Sequence, residues 1–187
     1  MSPVVGILLA AGSGSRFGAN KLLHPLTDGI PMAVVAARRL RFVCNISIAV
    51  IRPGENDLER QLQEEGLQVV VCDESLLGMG HSLAAGVNAS SYAGGWIIAL
   101  ADMPFIESTT YQCVVTALQT GASIVIPETN GRRGHPVGFA AHWFDKLSTL
   151  RGDTGARALL ASSPTEIFRC TVDDPGIFRD IDSMADL

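Results

Sequence analysis

Apolar residues in this chain fall into short blocks parted by polar, glycine-rich or charged segments, and the blocks switch between two periods. At 4–9 (Val-Val-Gly-Ile-Leu-Leu) almost every side chain is apolar, the pattern of a strand covered on both faces in a parallel sheet. At 31–42 the spacing becomes helical, with Pro31 at the first turn and Val34, Val35 and Leu40 set among Arg38, Arg39 and Arg41. The block at 45–51 predicts a second strand, followed by a turn at Pro53-Gly54. A charged, exposed helix is expected at 56–65, ended by Gly66, and a third buried strand at 67–72. Next come a small-residue helix at 80–90 and a fourth strand at 96–101. The helix expected at 106–120 has Glu107 and Ser108 as cap candidates and Gly121 at its end, and a strand follows at 122–127.

This strand–helix alternation predicts an α/β domain: a three-layer Rossmann-like fold with a mostly parallel sheet and right-handed crossovers. Beyond it the pattern loosens. A polar turn at 129–134 carries Asn130-Gly131, a strand is expected at 137–141, and short helices at 142–150 and 154–161. The late strand at 165–172 is a candidate antiparallel edge. Repeats, linkers and low-complexity tracts are absent from the sequence, so residues 1–187 read as a single domain with a decorated C-terminal third.

Composition narrows the class. Hydrophobic residues make up 47% of the 187, ample for one core. The net charge of −5, with no basic run, argues against a nucleic-acid surface. The N-terminus lacks a signal-peptide charge pattern, and its apolar run is too short for a membrane span, so a cytoplasmic protein without membrane contact is expected. The four cysteines, Cys44, Cys72, Cys113 and Cys170, are widely spaced in apolar surroundings. They read as reduced, buried thiols, with one disulfide pair left open and no metal finger possible.

The candidate chemistry begins where the first strand ends. Leu9, Ala10, Ala11 and Gly12 lead into Ser13, Gly14, Ser15, Arg16 and Gly18, with Lys21 close behind. Glycines let backbone N–H groups approach a ligand, hydroxyls add donors, and the two cations supply positive charge. At the carboxyl end of a strand in an open α/β sheet, that combination suits a polyphosphate, although a solvated strand-to-helix turn has the same residues. Phe17 breaks the dinucleotide fingerprint, and Leu22 after Lys21 rules out the P-loop.

Two acidic points stand apart from the loop. Asp102 ends the apolar fourth strand, where a carboxylate can hold a hard cation or cap the next turn. Asp182, in Asp180-Ile181-Asp182-Ser183, can ligate a metal or cap a short C-terminal helix. In Gly78-Met79-Gly80-His81-Ser82-Leu83 the glycines leave donors exposed at a helix start. Arg133, Gly134, His135 and Pro136 form either an ordered turn or a contact for an anionic substrate. Gly152-Asp153-Thr154-Gly155 reads equally as a loop with a helix cap. His24 and His142 carry no signature, and no nucleophile elbow is present.

Taken in order, these segments resemble a known family. Leu-Ala-Ala-Gly-x-Gly-x-Arg-x-Gly-x-x-Lys at 9–21 resembles the signature loop of sugar-nucleotide-type nucleotidyltransferases, above all the molybdenum-cofactor nucleotidyltransferase family. Leu-Ala-Asp-Met-Pro at 100–104, Gly-Met-x-x-Ser-Leu around Gly78 and Ser82, Gly-His-Pro at 134–136 and Asp-Ile-Asp at 180–182 are similar to further segments of that family. Ser183 and Met184 depart from its usual Thr-Pro.

The resemblance implies Mg²⁺-dependent transfer of CMP from CTP to the phosphate of a molybdopterin-type acceptor, with release of pyrophosphate. It implies catalytic roles for Arg16, on the outer phosphates, and Lys21, near the α-phosphate. Leu9 to Arg16, Gly78, Ser82 and Asp102 would hold the nucleotide. Met79, His81, Arg133, Gly134, His135 and Pro136 would face the acceptor, and Asp102 and Asp182 would ligate the metal. Ala-Ala-Gly at the loop start resembles cytidylyl-transferring members, whereas guanylyl-transferring ones read Leu-x-Gly-Gly. A guanylyltransferase on the same cofactor, a cytidylyltransferase on a sugar or polyol phosphate, and a non-catalytic cofactor carrier are the alternatives. A molybdoenzyme or its maturation factor is the expected protein partner.

Overall fold

The computed structural model describes residues 2–12 and 21–186. The loop residues Ser13, Gly14, Ser15 and Arg16 therefore lie outside the described residues. An 8-stranded sheet forms the middle layer, in the order β3-β2-β1-β4-β7-β5-β6 with β8 paired to β5. Its strands are β1 (Val4–Leu9), β2 (Ile46–Ile51), β3 (Gln68–Val71), β4 (Gly95–Leu100), β5 (Ile124–Thr129), β6 (Arg132–Arg133), β7 (Val137–Ala140) and β8 (Ile167–Thr171). The helices are α1 (Met32–Val43), α2 (Asn56–Glu64), α3 (Met79–Asn88), α4 (Ser108–Gln119), α5 (Phe144–Ser148) and α6 (Arg157–Ser162). Among the described residues no helix is long and apolar enough to cross a membrane.

Strands β1 and β4 occupy the centre, paired in parallel from Val4–Gly95 to Leu9–Leu100. Their side chains alternate between faces, as the two-residue period of a strand requires. Leu8, Ile97 and Ala49 pack with Met32, Leu40, Tyr111 and Val114 under α1 and α4. Val5, Ile7, Trp96 and Ile98 pack with Leu83, Val87 and Leu147 under α3 and α5. Burial on both faces explains why these strands read as unbroken apolar runs. Strand β3 differs from expectation: as the edge strand it is half-exposed, because only β2 flanks it.

The C-terminal third departs further from the sequence reading. Strand β7 inserts between β4 and β5 and runs antiparallel to both, while β8 pairs parallel to β5 rather than antiparallel. The Asn130-Gly131 turn, with both residues at positive φ, sends β6 back along β5. The returning strand breaks at Gly134-His135-Pro136, where the His135–Pro136 peptide is cis, before resuming as β7.

Helix α4 is capped from afar. Neither Glu107 nor Ser108 supplies a side-chain cap; buried Asp174 accepts from the Glu107 N–H (2.9 Å) and the Thr110 hydroxyl (2.6 Å). The same packing decides the cysteine pairing that the sequence left open. Cys113 on α4 and Cys170 on β8 form a disulfide across 57 residues, whereas Cys44 and Cys72 are free and buried. Burial pushes the Cys44 thiol up to about 12.

Candidate active site

The carboxyl ends of β1 and β4 meet the loop before α3 in one cleft of about 290 Å³. Of the residues singled out in the sequence, Leu9, Ala11, Gly12, Lys21, Gly78, Met79, Ser82 and Asp102 line it. Ala10 turns the other way, into the core beneath α1, and its N–H extends the pairing with β2 through the Val50 carbonyl (2.8 Å). The backbone at the end of β1 is thus held by both neighbours, since Ala101 donates to the Leu9 carbonyl at 3.0 Å.

The strongest electrostatic feature is a cation between two carboxylates. Lys21 begins a short 3-10 turn, and its neighbour Leu22 is buried in the core. Its Nζ donates to Asp102 Oδ2 at 3.0 Å and to Asp182 Oδ1 at 2.9 Å. The ammonium end is enclosed: the Lys21 side chain is 8% exposed, against 29% for Asp102 and 59% for Asp182. Burial by itself lowers the Lys21 pKa, but the hydrogen bond to Asp182 and the charge of Asp102 outweigh it, leaving the pKa above that of an ordinary lysine.

Asp182 reaches this point because the C-terminal segment docks on β4. Ile181 is fully buried and donates its N–H to the Asp102 carbonyl at 3.0 Å. At the start of the turn at 184–186, Asp186 Oδ2 accepts from the Asp182 N–H, the Ser183 N–H and the Ser183 hydroxyl. These bonds to Ser183 and Asp182 hold the Asp186 carboxyl below the usual carboxylate range.

The wall opposite is built on glycine. Gly78 has φ +126, and a Cβ there would run into the Gly152 carbonyl carbon. Gly80 donates to the Gly152 carbonyl at 2.8 Å, which ties the start of α3 to the loop at 151–153. This approach brings Asp153 to the cleft, and Ser75 and Leu76 of the preceding 3-10 turn complete the wall. The sequence reading left Ser75 and Leu76 out of the site. No motif marks them, because only the fold of the turn at 73–77 brings them there. The Ser75 hydroxyl is buried and finds no partner among the described residues.

The expected acceptor residues do not gather together. Met79 is on the cleft and half-exposed, but His81 turns to Glu74 (Nδ1 to Oε2, 3.1 Å). Arg133, Gly134, His135 and Pro136 sit at the break in the returning strand, outside the cleft lining. Gly134 packs against the Ile177 carbonyl, which accepts the His135 N–H at 3.0 Å. Burial lowers the His135 pKa, with the charges of Asp102 and Asp180 acting the other way, and its Nδ1 has no partner among the described residues.

Two carboxylates aimed at one cation position make a donor set suited to a hard divalent metal, although no cluster of three or more candidate ligands occurs among the described residues. Strand ends, a glycine-built wall and a buried lysine together suit a phosphorylated ligand.

Over its whole length the chain is similar to nicotine blue oxidoreductase of Paenarthrobacter nicotinovorans, at 28% identity covering 97% of this chain and 93% of that protein. It is similar to a probable molybdenum cofactor guanylyltransferase of Thermococcus gammatolerans, at 28% identity over 66% of this chain and 62% of that protein. The fold matches the crystal structure of Rv0371c of Mycobacterium tuberculosis H37Rv in complex with manganese. That match has a TM-score of 0.83 at 22% identity, covering 99% of this chain and 96% of the other. The model of the MobA-like NTP transferase domain matches residues 6–167, and the chain belongs to that family.

Proposed function

We propose that this protein transfers a nucleotidyl group from a nucleoside triphosphate, CTP in preference to GTP, to the terminal phosphate of a molybdopterin-type acceptor, releasing pyrophosphate. The observation that carries the reading is that Lys21 and Asp102 meet on the cleft at the ends of β1 and β4, with Asp182 on the same ammonium. The attacking phosphate is already an oxyanion at neutral pH, so the protein needs no general base. Its work is to align that oxyanion with the α-phosphorus and to stabilise charge as the P–O bond to pyrophosphate breaks.

The chain's own residues divide this task. The backbone from Ala11 to Gly12 borders the triphosphate, with Arg16 of the loop assigned to its outer phosphates by the motif. Lys21 is the cation the motif assigns to the α-phosphate, where it would stabilise negative charge as it develops. Asp102 and Asp182 would hold a divalent ion, Mg²⁺ in this reading, which would supply Lewis-acid neutralisation of phosphate charge. The manganese complex of Rv0371c supports a divalent ion in this fold. Ser75, whose hydroxyl has no partner among the described residues, and the apolar Leu76 and Met79 line the cleft where the base or the ring of the acceptor would lie. The Gly-His-Pro segment is assigned to the acceptor by the motif and lies outside the cleft lining.

A guanylyl transfer is the second reading, favoured by the similarity to the Thermococcus protein. Ala11 on the cleft favours CTP, because the extra methyl narrows the slot for a purine. A pyrophosphate-release assay over a matrix of nucleotides and acceptors tests the proposal. Release confined to CTP with a molybdopterin acceptor is the expected result; release with neither acceptor nor nucleotide dependence would refute it.

A further inference from the structure

We propose that Lys21 closes the metal position in the nucleotide-free protein, so that the divalent ion is admitted together with the nucleotide rather than before it. The inference rests on the assignment of Asp102 and Asp182 as metal ligands. In the structure one ammonium contacts an oxygen of each carboxylate, at 3.0 and 2.9 Å, and that ammonium is almost wholly enclosed. A divalent ion approaching this site meets a positive charge lying between the oxygens it needs. It would have to displace two charge-assisted hydrogen bonds and leave a buried lysine unpaired.

A triphosphate removes the obstacle. Its charge offers Lys21 an alternative partner at the same strand ends, and the ammonium can leave the carboxylates without losing an anion. The two carboxylates are then exposed to each other, and a divalent ion relieves their repulsion while the phosphates complete its oxygen shell. Metal and nucleotide are thereby coupled, and the coupling is reciprocal: each strengthens the binding of the other by the same factor. Lys21 does this by moving between two sets of anions and not by titrating.

The test reads Mn²⁺ binding from the free-ion EPR signal, with Mn²⁺ alone and no nucleotide. Wild-type protein should bind weakly. Lys21→Met and Lys21→Gln, uncharged side chains of similar reach, should each bind Mn²⁺ on the order of tenfold tighter or more, since a contacting cation is gone. Arg151→Met loses the same charge without touching either carboxylate and should stay within about twofold of wild type. Adding Asp102→Asn to Lys21→Met should abolish the gain. No gain in either Lys21 variant, or an equal gain in Arg151→Met, overturns the proposal. The underlying assignment is checked separately: calorimetry with the preformed Mn²⁺–CTP complex should show weaker binding to Asp102→Asn than to wild type. If it does and the Lys21 variants show no gain, the gate falls and the ligands stand. If it does not, the ligands and the gate fall together.

Discussion

Ile181 donates its backbone N–H to the carbonyl of Asp102 across 3.0 Å, joining the last turn of the chain to the end of a central strand. Through that bond the neighbouring Asp182 arrives on the Lys21 ammonium that Asp102 also holds. The site is therefore assembled from three segments that share no local sequence signal, and its chemistry depends on the C-terminal segment staying docked.

If the two carboxylates hold a divalent ion, Asp102→Asn and Asp182→Asn should each lower kcat/KM on the order of 10²–10⁴-fold with the fold intact. Asp102 should show the larger loss, because it is the more enclosed of the two. Steady-state pyrophosphate release at saturating Mg²⁺, alongside circular dichroism, is the measurement. Near-normal turnover in Asp102→Asn would remove it from the metal site.

Lys21→Ala should reduce kcat far more than it weakens nucleotide binding, by roughly 10²–10³-fold, if its charge acts on the α-phosphate as the transition state forms. Kinetics set beside calorimetric nucleotide affinity separates the two. An unchanged kcat with a raised KM would show a ground-state contact only.

Two substitutions address the base. Ala11→Gly should move the CTP-to-GTP ratio of kcat/KM towards GTP by about 1–3 kcal/mol at most, since a single methyl is lost. Ser75→Ala removes a buried hydroxyl that has no partner among the described residues. It should therefore leave Tm unchanged or raise it, while weakening nucleotide binding by roughly 1 kcal/mol. A lower Tm with unaltered binding would make Ser75 a structural residue.

Gly78→Ala puts a Cβ against the Gly152 carbonyl at φ +126. A cost of about 2 kcal/mol is expected, lowering Tm by roughly 4–8 °C in a domain of this size. Thermal unfolding by calorimetry checks it. A wild-type Tm would mean that the contact between the start of α3 and the loop at 151–153 yields readily.

His135 gives a pH dependence of definite sign. Burial lowers its pKa in the folded protein, so the unfolded chain binds the proton more readily. Its contribution is fully present above the unfolded histidine value and is lost as pH falls through it, between about pH 7 and 5. Denaturant unfolding should show stability falling over that range by no more than about 1.4 kcal/mol per pH unit for this group. His135→Asn should flatten the slope; an identical slope would assign it to other groups.

The sequence by itself determined the α/β alternation, the central strands and the glycines before α3. Each rests on a local cause: two-sided burial makes β1 and β4 continuously apolar, and only glycine serves a backbone such as that at Gly78. Asp102 was legible for the same reason, as a carboxylate ending an apolar strand. Tertiary structure alone decided what depends on distant neighbours. It inserted β7 between β4 and β5, made β8 parallel, capped α4 with Asp174 and brought Cys113 to Cys170. It also brought Asp182 to Lys21, 161 positions away along the chain, because a side chain's partners depend on what the fold places within about 3 Å of it.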